Sequence, residues 1–192
     1  MFFLSKPAKS VVLHFLAAQV SGQFSYPHVG ESRTGTNPAE YVTDHNRIQL
    51  GSGIKVFDRA KTAIRQWKMF AMPWLQLCWP DAPVAVGTNV AILISHFGFW
   101  SLNAARIVYL VDEHGSYERF GFAYGTLQEH GERGEERFTV EFHANDGSVW
   151  YDLFAFSRPN MAARLAYPLT RSLQRRFAED SKLAMKRAVD EA

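Results

Sequence analysis

Apolar and polar positions repeat along this chain with two different periods, and each period predicts its own class of element. Between residues 54 and 71, Phe57, Ala60, Ile64, Trp67 and Ala71 recur three and four residues apart, which sets them on one side of an α-helix. Beyond Pro73 the period shortens to two. Val86, Thr88, Val90, Ile92 and Ile94 alternate with Gly87, Asn89, Ala91, Leu93 and Ser95, the pattern of a strand with two unlike faces. Residues 104–112, 117–128, 135–143 and 148–156 predict further strands, and residues 45–50 an earlier one ended by Gly51, Ser52 and Gly53. Asp112 to Gly115 makes one turn between runs, and Asp146-Gly147 is a strong hairpin signal between the last two. Strands joined by short turns predict an antiparallel meander with one buried and one open face.

Over residues 160–191 the helical period returns, with Leu165, Leu169, Leu173, Phe177, Ala184, Met185 and Val189 as its apolar stripe. At 1.5 Å per residue this C-terminal helix is on the order of 45 Å long, enough to cross a sheet. Pro168 predicts a kink or a broken first turn. At the other end, Ser5 as N-cap, Pro7 in the first turn and Val11, Leu13, Phe15, Leu16 and Val20 beyond predict an amphipathic helix within residues 1–24. Lys6, Pro7, Lys9 and His14 interrupt this stretch, and no A-x-A motif follows it, so it does not read as an export signal. Residues 25–37 form a polar, turn-rich loop that either covers an opening or simply connects.

Composition narrows the class. With 192 residues, 47% hydrophobic and 21% charged, the expectation is one globular domain over 1–192: N-terminal helix (1–24), strand, helix and meander (45–158), C-terminal helix (159–191). Aromatics at 14% demand a filled core or a lined pocket. The single Cys78 makes no internal disulfide, so a cytoplasmic setting is expected. No segment is long enough to span a bilayer as a helix. Residues 158–187 carry eight Lys or Arg against Glu179 and Asp180. That basic end reads as a solvated helix face or, more weakly, as a partner or nucleic-acid surface; nucleic acid is disfavoured because no aromatics are interleaved with the charge.

Strand, helix, meander and terminal helix come in the order found in helix-grip proteins, the group that includes START-type lipid carriers and relatives of the birch-pollen allergen. The fold class expected is therefore α+β, a curved antiparallel sheet wrapped around a long C-terminal helix with an extra N-terminal helix. More specifically, Phe24-Ser25-Tyr26, Val29-Gly30, Trp67, Tyr124-Gly125-Thr126-Leu127, His130, Gly134-Glu135-Glu136 and Ser157-Arg158-Pro159 resemble the motifs of uncharacterised protein family 0548, in order, from about Phe15 to Ala188. The wider helix-grip resemblance implies a cavity between sheet and helix that holds an apolar molecule, and it also admits enzymes.

Candidate chemistry follows from strand parity. Phe120, Phe122, Tyr124, Thr126 and Gln128 share one face, and Gly121, Ala123, Gly125 and Leu127 the other, while Glu136 shares its face with Phe138, Val140 and Phe142. A carboxylate at the end of an apolar row needs a partner, for which His130, Tyr124 or Arg106 are candidates. Glu136 and His130 are thus the candidate catalytic acid and base, against the plainer reading that Glu136 only satisfies donors at the sheet rim. The candidate ligand-binding set is Tyr124, Thr126, His130, Glu136, Arg106, Tyr109, Trp67, Trp150 and Phe154, the aromatics either lining a cavity or filling it. No histidine pair has metal-ligand spacing, so no metal site is expected, and no phosphate loop or dinucleotide fingerprint implies a cofactor. Cys78, in an apolar setting, reads as a buried thiol. The expectation is a soluble protein binding a small apolar or amphipathic molecule, with an enzyme built on Glu136 and His130 as the alternative.

Overall fold

The computed structural model describes residues 1–36, 38–79, 81–159 and 167–191. Eight strands, β1 (Phe2–Phe3), β2 (Val42–Ser52), β3 (Leu75–Cys78), β4 (Asn89–His96), β5 (Phe99–Glu113), β6 (Tyr117–Thr126), β7 (Glu132–His143) and β8 (Ser148–Pro159), form one sheet. Its order is β2-β8-β7-β6-β5-β4-β3, with β1 added against β5, and every pairing is antiparallel. Three helices complete the described chain: α1 (Lys9–Ala18), α2 (Ile54–Arg65) and α3 (Tyr167–Asp190). This is the α+β arrangement expected, an antiparallel meander with a long C-terminal helix.

The period-two pattern divides the sheet into two faces with different covers. On the inner face, Ile92, Ala105, Ile107, Phe122, Phe138, Val140, Tyr151 and Leu153 pack with Phe57 and Ile64 of α2 and Met185 and Val189 of α3. A fully buried side chain of this size contributes about 1.5–3 kcal/mol, and Phe122, Phe138 and Tyr151 are each 0% exposed. On the outer face, Val12 and Phe15 of α1 pack on Ala91, Leu93, Leu102, Ala104 and Leu127. Tyr26, Tyr41, Phe154 and Phe156 make a separate outer cluster.

Several boundaries differ from the sequence expectation. The N-terminal helix starts at Lys9 with Ala8 as its N-cap and no side-chain cap bond, so Ser5 does not cap it. Phe2 and Phe3 instead pair with Ser101 and Trp100, continuing β5 where β6 does not reach. The second helix ends at Arg65 rather than residue 71, because Trp67 adopts a left-handed φ of 56° and a 3-10 turn, Lys68–Phe70, follows. Strand β3 carries too short an alternation to stand out in the sequence. Pro168 lies in the first described turn of α3, while Leu165 and the rest of 160–166 lie outside the described residues. The 24 residues of α3 span about 36 Å.

Candidate functional site

Between α3 and the inner face lies a cavity of about 290 Å³. Phe70, Trp74, Leu75, Ile92, Ile94, Leu153 and Phe177 give it an apolar wall. The Phe70 ring is held among Tyr124, Phe138 and Phe177, and the Trp74 indole is fixed by donating to Asp180 of α3 at 2.7 Å. The other end is polar. Tyr124 and Thr126 reach it from β6, Glu132 and Glu136 from β7, Ser101 and Asn103 from β5, and His130 from the turn between β6 and β7. Strand period explains this grouping: positions 124 and 126, and 132 and 136, have the parity of the inner-face aromatics on their own strands.

Burial controls the proton affinities here. Glu136 accepts one hydrogen bond, from the Tyr124 hydroxyl at 2.7 Å, and desolvation pushes its carboxyl up to about 8 against that bond. Glu132 accepts from the Gln174 amide at 2.7 Å. Burial raises it to about 7, with Gln174 and the charge of Arg171 opposing. His130 is lowered to about 4, again first by burial. Its Nδ1 accepts from the Glu132 backbone N–H at 3.0 Å, so the neutral ring carries its proton on Nε2. Thr126 is tied into the frame, accepting from the Gly134 N–H at 2.9 Å and sharing a 2.6 Å bond with Ser25. Arg171 grips Asp44 with both guanidinium nitrogens, at 2.5 and 2.8 Å.

Four of the nine expected ligand residues therefore meet at the cavity: Tyr124, Thr126, His130 and Glu136. Both catalytic candidates line it, although the hydrogen bond of Glu136 goes to Tyr124 and not to His130. Arg106 is a correction. It lies on the outer face, where its guanidinium donates to the carbonyls of Gln19, Val20 and Gly22 and so ties down the end of α1. Tyr109 is another, because a bulge between Ile107 and Tyr109 switches the face of β5 and turns the phenol outward to Ser32 at 2.6 Å. Trp150 and Phe154 also have outer parity, under Arg47 and in the Tyr41 cluster. Trp67 stays inside but behind the cavity wall, edge-on to Phe122 and donating to the Ala82 carbonyl.

The described part of the loop, residues 25–36, does not cover the cavity. Glu135, the outward neighbour of Glu136, holds it on the outer face: its carboxylate accepts from the Tyr26 hydroxyl (2.7 Å), the Gly30 N–H (2.7 Å), the Ser32 N–H (3.0 Å) and the Ser32 hydroxyl. Gly30 supplies the left-handed φ of 90° that aims its N–H there. Cavity residues outside the expected ligand-binding set are Glu132, Gln174, Asn103, Phe70, Trp74 and Phe177. Glu132 has the parity of Glu136 and needed only a strand that starts three residues earlier, whereas Phe70 and Trp74 sit in an unpatterned linker. Among the described residues, no three His, Cys, Asp or Glu side chains are grouped to hold a metal ion, and no helix is long and apolar enough to cross a membrane.

Residues 25–184 match the family described as Domain of unknown function (DUF1990). The chain belongs to this family. Similar DUF1990 relatives include a UPF0548 protein of Dictyostelium discoideum, 36% identical over 208 residues that cover 98% of this chain and 96% of the relative. A UPF0548 protein of Deinococcus radiodurans is 38% identical over 190 residues, 93% of each chain. These are the relatives that the motifs from Phe24 to Pro159 point to. Among solved structures, that of Ara h 8.0201 aligns with a TM-score of 0.51 at 13% identity, covering 79% of this chain and 99% of its own. That likeness is one of fold, and the DUF1990 chain has the helix-grip arrangement.

Proposed function

We propose that this protein binds a small, largely apolar molecule in the cavity between the inner face of the sheet and α3. The observation that carries the reading is the cavity itself: α3 lies along the sheet, yet about 290 Å³ stays open beneath it, with an apolar wall and a few convergent polar groups at one end. At roughly 30 Å³ per water-sized group, the space suits a ligand of about ten non-hydrogen atoms more than a whole phospholipid. A buried, free Cys78 suits a reducing compartment, and a cytoplasmic setting is part of the reading.

The test is native mass spectrometry of the purified protein, followed by denaturing extraction, together with tryptophan emission during titration with short-chain amphiphiles. Trp74 sits on the cavity wall and reports occupancy. Ala178→Phe, which pushes a ring from α3 into the cavity, is expected to abolish the added mass and the emission change while leaving the fold intact. Wild-type protein that neither carries nor takes up any ligand removes this reading.

A second reading is supported by the same polar end. Two carboxyls held near neutrality, at about 7 and about 8, beside a neutral imidazole are suited to general acid–base work. In that reading Glu136 donates or takes the proton, Tyr124 orients it, and the neutral His130 lines the same end of the cavity. A turnover assay on any ligand recovered by extraction, with Glu136→Gln as control, separates the two: unchanged ligand after prolonged incubation leaves only binding.

A further inference from the structure

The polar end of the cavity has more negative than positive charge, and resting on the pocket reading above, that imbalance specifies the ligand further. Arg171 is committed to Asp44, and Glu179 to Lys182 at 2.8 Å. Arg175 of α3 lines the cavity, but neither Glu132 nor Glu136 forms an ion pair with a described residue. Their bonds come from uncharged donors, the Gln174 amide and the Tyr124 hydroxyl. The groups facing Glu136 from neighbouring elements are Glu132 on its own strand, Asp44 from β2, and Tyr124 and Tyr151, whose hydroxyls do not supply a positive charge. His130 is neutral at pH 7.

A carboxylate held away from water without a cation is costly, and two remedies exist: it takes up a proton, or a cation is brought to it. The geometry points to a small amphipathic amine as the ligand class, its ammonium between Glu136 and Glu132 and its apolar body along Phe70, Trp74, Ile92 and Phe177. Tyr124 donates to one oxygen of Glu136 and fixes the carboxyl plane, which leaves the second oxygen for the ammonium. Glu136 and Glu132, which both line the cavity, then offer carboxylate acceptors to the N–H donors of a primary amine. An acid of the same length meets two carboxyls, and an alcohol gains no charge pairing.

The test compares octylamine, octanol and octanoate, matched in size to the cavity, by tryptophan emission and calorimetry on the full chain. At pH 8 octylamine is expected to bind at least tenfold more tightly than octanol, with octanoate weakest. Glu136→Gln is expected to weaken octylamine tenfold or more and to leave octanol within twofold. On wild-type protein, which does not depend on a variant folding, octylamine affinity is expected to rise about fiftyfold from pH 6 to pH 8 as a carboxyl titrating at about 8 ionises, while octanol stays flat. Octanol or octanoate binding as tightly as octylamine, or a flat octylamine profile, overturns the amine assignment and leaves the pocket reading standing. Failure of all three to bind overturns both.

Discussion

Glu135 and Glu136 are adjacent in the chain, and strand parity gives them opposite surroundings. Glu135 accepts four hydrogen bonds that hold residues 26–32 on the outer face. Glu136 accepts one and faces the cavity. Replacing each carboxylate by its amide should therefore have opposite signs. Glu135→Gln puts an N–H₂ against a nest of donors and is expected to cost about 3 kcal/mol or more, whereas Glu136→Gln removes a poorly compensated charge and is expected to stabilise the protein at pH 8. Urea denaturation of both variants decides this; equal shifts of the same sign would refute it. Gly125 offers a second test at this scale. A Cβ there would lie 2.0 Å from the Tyr26 hydroxyl and 2.9 Å from its ring, so Gly125→Ala must displace Tyr26 from Glu135, at an expected cost of about 1–3 kcal/mol. Parity made the inward positions of Tyr124, Thr126 and Glu136 legible in the sequence. It gave Glu135 no role, because what holds a loop more than 100 residues away cannot be read from local spacing.

At the scale of elements, period two and period 3.6 located β4 to β8, α2 and α3, and the faces of β4, β6 and β7. What escaped was governed by other forces. The break at Trp67 depends on a left-handed residue packed against Phe122, and β1 forms only because β6 leaves part of β5 unpaired. Helix α3 is held by more than its apolar stripe: Ser181, 0% exposed, shares a 2.8 Å hydrogen bond with the buried Tyr151 hydroxyl of β8. Ser181→Ala leaves that hydroxyl without a partner and is expected to cost about 1–3 kcal/mol. Met185→Ala, one turn further along and fully buried, is expected to cost about 2–5 kcal/mol. Thermal denaturation measures both, and a Ser181→Ala protein as stable as the wild type would show that the hydroxyl finds another partner. The basic residues of α3 are largely engaged within the fold, Arg171 with Asp44, Arg176 with Asp180, Lys182 with Glu179 and Lys186 with Asp190, which favours the solvated-face reading of that charge.

For the whole molecule, the cavity ties stability to pH. Glu132 and Glu136 have folded values raised to about 7 and about 8 from 4.5, so the folded state binds more protons than the unfolded chain between those limits, and stability falls as pH rises through them. His130 acts in the other direction: lowered from 6.5 to about 4, it contributes stability that is present above 6.5 and lost as pH falls through 4. With two groups against one, the cavity's net contribution declines from about pH 4.5 to pH 8. Each group adds a slope of about 1.4 kcal/mol per pH unit where it is fully engaged. Urea midpoints of wild type and Glu136→Gln, taken from pH 5 to pH 8, should converge at pH 5 and separate toward pH 8; parallel profiles would place the raised proton affinity elsewhere.

The extra residue in β5 has a consequence for chain length. Because the strand changes face between Ile107 and Tyr109, deleting Val108 would restore strict alternation and keep every face, with Ile107 and Leu110 inward and Tyr109 and Val111 outward, whereas a second deletion in the same strand would roll everything beyond it by half a turn. Single-residue deletions in DUF1990 relatives are accordingly expected at the bulge around 108 and in the turn after Glu113, so the parity of the residue count here, and not only residue identity, is set by geometry.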